Sequence, residues 1–116
     1  MANEISISIE FSYSKNGEIQ KDESFLVTVS GDSYIHGVQD IGFATEEAVV
    51  TPADIGTAGW CVVKNLDDTN YITLGATGSL NLKLLPGETA IFRLNAALYA
   101  QANTAACALE YIIIEA

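Results

Sequence analysis

At 116 residues the chain is long enough for one packed core, and 49% hydrophobic content can fill it without a metal or disulfide staple. Five basic residues against fifteen acidic ones give a net charge of −10, which repels nucleic-acid phosphate and anionic lipid and argues against a partner of either kind. The opening MANEISISIEF has no basic region followed by an unbroken apolar run, and no stretch reaches the length of a membrane span. The protein is therefore expected to be made in the cytoplasm and to stay there or leave by lysis.

Residues 5–13 alternate, with Ile5, Ile7, Ile9, Phe11 and Tyr13 on one side and Ser6, Ser8, Glu10 and Ser12 on the other. That period predicts an antiparallel strand with one buried and one wet face. Asn16 and Gly17 suit a tight turn. A second strand follows through Phe25, Val27 and Val29, ending at Gly31 and Asp32. Between 34 and 43 the apolar residues are interrupted by Gly37 and Gly42, which predicts a bent or bulged strand or a close backbone approach. Thr45, Glu46, Glu47 and Ala48 have the form of a helix cap and one helical turn, before Val49, Val50 and Thr51 return the chain to extended form ahead of Pro52.

The stretch 59–88 organises the rest. The apolar run WCVV meets the polar cluster NLDDTN, and YITL follows, which is strand, turn, strand. LNLKLLPGE alternates and then stops at Pro86 and Gly87, which cannot continue a paired strand. Residues 88–94 alternate again. The alanines of 95–108 favour a helix on propensity, whereas Asn103, Thr104 and the flanking strands favour a loop and a last strand. Residues 105–115 close the chain with Leu109, Tyr111 and Ile113 against Glu110, Ile112 and Ile114. A strand apolar on both faces is either central in its sheet or covered by another chain.

About eight short strands with frequent turn signals and no long helix predict one all-β domain over residues 1–116, an antiparallel β-sandwich of jelly-roll type. The expected core is Ile7, Ile9, Phe11, Val27, Trp60, Val62, Ile72, Leu84, Phe92 and Tyr111.

The ordered segments IGFATEEAV (41–49), DIGTAGW (54–60), KNLDDTNYITLG (64–75), KLLPGETAIFRL (83–94) and LYAQANTAACALEYIIIE (98–115) resemble a group of small virion structural proteins of tailed bacteriophages. The likeness covers the C-terminal two thirds of the chain; the N-terminal hairpin is only generically similar. It implies a β-sandwich subunit that decorates the capsid or belongs to a tail or fibre, and it brings no catalytic residue with it.

The residues themselves name no reaction. Asp67, Asp68 and Asn70 are oxygen donors that suit calcium, but their spacing is not that of a calcium loop and such residues make turns on their own account. Asn65 is expected to hydrogen-bond backbone across this turn. His36 is the sole histidine, and no nucleophile elbow accompanies Cys61 or the serines. Cys61 and Cys107 read as buried free thiols. Glu88 and Arg93, five apart, fall on opposite faces of one strand. Trp60 and Tyr71 read as sheet aromatics before they read as a sugar platform.

The residues alone predict an all-β binding or structural module with no cofactor and no metal; the resemblance implies a non-enzymatic virion subunit, a capsid decoration protein lying across junctions of the major capsid protein on the outer surface. A homo-oligomer, with a trimer favoured, is expected. Ile112, Ile113 and Ile114 are the expected contact residues, whether with other copies or with the coat. The alternatives are a tail, baseplate or fibre-base subunit, which has the same sequence signature, and a carbohydrate-binding sandwich that uses Trp60.

Overall fold

The structure, a computed structural model, describes residues 3–116. The chain forms two compact units, residues 1–30 and residues 31–116. Among the described residues there is no helix.

The first unit is a hairpin of β1 (Ile5–Tyr13) and β2 (Ile19–Val27), paired without a register shift from Ile5 opposite Val27 to Tyr13 opposite Ile19. Gly17 takes a positive φ of 150° in the turn. β2 begins well before the apolar residues that marked it in sequence, because QKDES has no strand signature of its own and is recruited by pairing. The hairpin also corrects the predicted core. Ile7 is buried and Val27 half-buried, but Ile9 is 41% and Phe11 56% exposed. Alternation in β1 reports a sided strand; whether a second layer covers that side is a tertiary fact the period does not contain.

The second unit holds β3 (Tyr34–Ile41), β4 (Glu47–Ala48), β5 (Ala58–Asn65), β6 (Ile72–Ala76), β7 (Ser79–Leu84), β8 (Thr89–Arg93), β9 (Tyr99–Ala102) and β10 (Cys107–Glu115). They form two four-stranded antiparallel sheets, ordered β3-β10-β5-β8 and β4-β9-β6-β7. β3 lies beside β10, β4 beside β9, β5 beside β8 and β6 beside β7, and only the last of these pairs is a tight hairpin. This is the wrapped double-sheet arrangement of a jelly roll, and the predicted all-β, antiparallel sandwich is what the chain forms. The terminal strand β10 is central in its sheet, which accounts for apolar residues on both of its faces.

The core lies between the sheets. Cys107, Leu109, Tyr111 and Ile113 of β10, Cys61 and Val63 of β5, and Ile41 of β3 face Ile72 and Leu74 of β6, Leu84 of β7, and Ala100 and Ala102 of β9. Each large aliphatic side chain buried here contributes roughly 1.5–3 kcal/mol relative to solvent exposure. Predicted core residues Ile72, Leu84 and Tyr111 are buried as expected, and Phe92 packs against the core half-buried. Trp60 and Val62 are not in it. In WCVV it is Cys61 and Val63 that point inward and Trp60 and Val62 outward, the opposite face from the one expected. Of the alanines that suggested helix in 95–108, Ala100 and Ala102 are inward residues of β9, Ala108 belongs to β10, and Ala96, Ala97, Ala105 and Ala106 lie in exposed connections.

Two further expectations are corrected. β3 pairs with β10 in unbroken register, so it carries no bulge, and Gly37 sits opposite Tyr111, where a Cβ would come within 3.5 Å of the phenol oxygen. The irregularities fall in β10 between Ile113 and Glu115 and in β6 at Gly75, whose φ is +155°. Thr45 to Ala48 starts no helix. Glu47 and Ala48 pair with Ala100 and Tyr99, and the two glutamates turn to neighbouring backbone instead.

Candidate functional site

Asn65 at the end of β5 is fully buried and every polar group it carries is used. Its Nδ2 donates to the carbonyls of Asn70 (2.9 Å) and Leu84 (3.1 Å), and its Oδ1 accepts from Asp67 N–H (2.9 Å). Its own N–H donates to the Glu88 carbonyl and its carbonyl accepts from Gly87 N–H, each at 3.0 Å. The NLDDTN turn, held by the side chain, and the PGE turn, held by the main chain, are thereby tied to one residue though far apart in sequence. Leu85, Pro86, Gly87 and Glu88 form a turn with Gly87 at φ +80°, closed by Glu88 N–H to Leu85 O.

The acidic cluster beside it is turn chemistry. Asp67 Oδ2 accepts from the N–H groups of Asn70 (2.6 Å) and Thr69 (3.0 Å), bonds that hold its carboxyl below the usual carboxylate range. Asp68 bonds Thr69, and Asn70 accepts from the Thr104 hydroxyl. Among the described residues no group of three or more His, Cys, Asp or Glu side chains is arranged to hold a metal ion.

Two more glutamates bind backbone. Glu46 accepts from Thr77 and from Gly78 N–H at the tip between β6 and β7, and its carboxyl is lowered for that reason. Glu115 accepts from Gly56 N–H (2.8 Å), Asp32 N–H (3.0 Å) and Ser33 N–H (3.3 Å), which lower its carboxyl in turn. Both cysteines are free and buried. Burial pushes the Cys61 thiol up to about 12, and burial, with the nearby Asp67 charge second, raises Cys107, so neither is a thiolate at neutral pH.

The remaining residues singled out in sequence lie on the outer face of the β3-β10-β5-β8 sheet or beside a cation. His36 meets Glu110 at 2.9 Å. The Arg93 guanidinium lies 5.2 Å from the centre of the half-buried Trp60 ring, and the Lys83 ammonium 4.3 Å from that of Tyr71. These cations stack where a sugar would have to. A depression of about 340 Å³ and a neighbouring one of about 490 Å³ share the 94–98 connection; alanine, leucine, glycine and threonine supply most of their walls, with Arg93 at the rim of the larger.

The outer face of that sheet is the surface with a distinctive chemistry. Register sets His36, Ile112, Val62 and Ile91 in one row across the four strands, with Tyr34 beside Ile114 to one side and Val38, Glu110, Lys64 and Thr89 to the other. Tyr34 is 72%, Val38 60% and Ile91 38% exposed, and Ile112, Ile114 and Val62 are half-buried. An apolar band with a polar margin is thus open on a sheet whose other face is already the core. Of the expected contact residues, Ile112 and Ile114 belong to this band. Ile113 points the opposite way and is fully buried, since adjacent strand residues alternate faces. Sequence reasoning missed Tyr34, Val38 and Ile91, whose common face becomes visible only when β3 and β8 are placed on either side of the β10–β5 pair.

No known protein family, curated protein or solved structure matches the chain.

Proposed function

We propose that this chain is a non-enzymatic structural subunit of a bacteriophage virion, a capsid decoration protein that docks on the coat through the outer face of the β3-β10-β5-β8 sheet. The observation that carries this reading is the apolar band Tyr34, Val38, Ile112, Ile114, Val62 and Ile91 with its rim of His36, Glu110 and Lys64. A sheet open on one side ordinarily places polar residues there. An apolar centre with a polar margin has the composition of an interface that excludes water at its core.

The ordered motifs from 41 to 115 supply the virion context, and a jelly roll is a common solution for shell proteins, although fold alone assigns no function. The strongest polar constellations, at Asn65, Asp67, Glu46 and Glu115, are all spent on holding backbone, which supports a building block in preference to a catalyst. Laid across a junction between coat subunits, the band would add contacts that resist pressure from packaged DNA. A net charge of −10 favours the outside of the particle, away from that DNA.

Quantitative mass spectrometry of purified particles tests the reading. A copy number comparable to that of the major capsid protein is expected. A few copies per particle would move the chain to the tail or fibre base, and its absence from particles would remove it from the virion.

A further inference from the structure

We infer that the distal half of the β1–β2 hairpin is a two-fold docking face for the same hairpin of a second copy. Residues paired in register share a face, so one side of the hairpin carries Ile9 with Glu23, Phe11 with Lys21, and Tyr13 with Ile19. Ile9 is 41%, Phe11 56%, Tyr13 42% and Ile19 57% exposed. The opposite side at the same level is Ser8, Ser24, Glu10, Asp22, Ser12 and Gln20. The hairpin is therefore sided, and its apolar side is left exposed along with its polar one. A two-stranded hairpin is marginal in water unless a further layer covers its apolar face.

The charges on that side say what the layer is. Lys21 and Glu23 are the two charged residues there, adjacent and of opposite sign, with Nζ and Oε1 2.8 Å apart. A basic surface laid over the face would oppose Lys21, an acidic one would oppose Glu23, and a wholly apolar one would bury both. The matching surface is the same couplet reversed. A two-fold axis passing between the Ile9–Glu23 and Phe11–Lys21 pairs provides it: Glu23 then faces the second copy's Lys21, and Ile9 faces the second copy's Phe11. The contact is isologous, as two-fold contacts are. It also answers the repulsion between chains of net charge −10, because charge on this face cancels locally.

Charge reversal in the full-length protein tests this by sedimentation velocity. The wild type is expected to associate through the hairpin, and Lys21→Glu or Glu23→Lys alone to weaken that association by about tenfold or more, through like charges brought together. An equimolar mixture of the two variants should associate again, since one then presents two acids where the other presents two bases. Within each variant chain the couplet stays like-charged, so recovery on mixing can come only from contact between copies, even if a single reversal loosens its own hairpin. A wild type that shows no association, single variants that associate as tightly as wild type, or a mixture that does not recover would each overturn the inference. It is independent of the proposed virion role, which concerns a different face.

Discussion

Asn65 shows how one buried amide can define a fold locally. Replacing it with alanine would leave the buried Leu84 carbonyl and the partly buried Asn70 carbonyl and Asp67 N–H without their partner. Each buried polar group left unsatisfied costs about 1–3 kcal/mol. Because the turn at 67–70 can open toward solvent and recover part of this, the expected loss for Asn65→Ala is roughly 2–4 kcal/mol, read as a lowered urea midpoint with an unchanged slope. Asn65→Asp should fare no better, since a carboxylate cannot donate to the two carbonyls and would be buried as a charge. That Asn65 bonds across the turn was legible from NLDDTN alone. That the same side chain also holds Leu84 was not, because the bond spans 19 residues and depends on β6 and β7 returning the chain to the end of β5.

At the scale of strands, what the sequence announced was alternation, and what it concealed was which face each alternation served. β1, β5 and β10 were all recognisable as strands. Yet Ile9 and Phe11 are exposed, Trp60 and Val62 face outward, and Ile113 faces inward, since a period of two gives two candidate faces and only the packing of sheets chooses between them. β4 and the start of β2 were invisible because neighbours, not their own residues, make them strands. The same dependence on neighbours governs the end of β10. Glu115 receives N–H groups from Asp32 and Ser33 ahead of β3 and from Gly56 ahead of β5, so one carboxylate clasps two connections to the central strand. Its carboxyl is held below its ordinary value by those bonds. A group whose folded pKa is depressed adds stability above its unfolded pKa, and that stability is lost as pH falls through the folded value. Thermal melts of the wild type should therefore hold steady from neutral pH and fall once the medium is acid enough to protonate carboxylates, below about pH 4. Glu115→Gln should melt lower at neutral pH, fall less on acidification and converge with wild type in acid. Parallel curves would mean that another carboxylate, such as Glu46 or Asp67, dominates the acid limb.

For the whole molecule, substitutions on the outer face of the β3-β10-β5-β8 sheet separate folding from the docking proposed for it. Val38 is 60% and Ile91 38% exposed, so lysine at either place can reach water and should change stability by no more than about 0.5 kcal/mol. On a docked particle a lysine at 91 would be enclosed with only Val62 opposite it in register, and a lysine at 38 would compete with His36 for Glu110, so either variant encloses a poorly paired charge in the contact, which is costly. Val38→Lys and Ile91→Lys should thus each weaken binding to undecorated heads by about tenfold or more, which corresponds to about 1.4 kcal/mol, while the thermal midpoint stays near that of wild type. Each also changes the net charge by one, so a matched control is needed on the other sheet. Asn81→Lys in β7 adds the same charge at an exposed position away from the band and should bind as wild type does. If the control loses binding equally, charge and not the band governs docking. If all three variants bind normally, the face has been misassigned and the subunit meets its shell through some other surface.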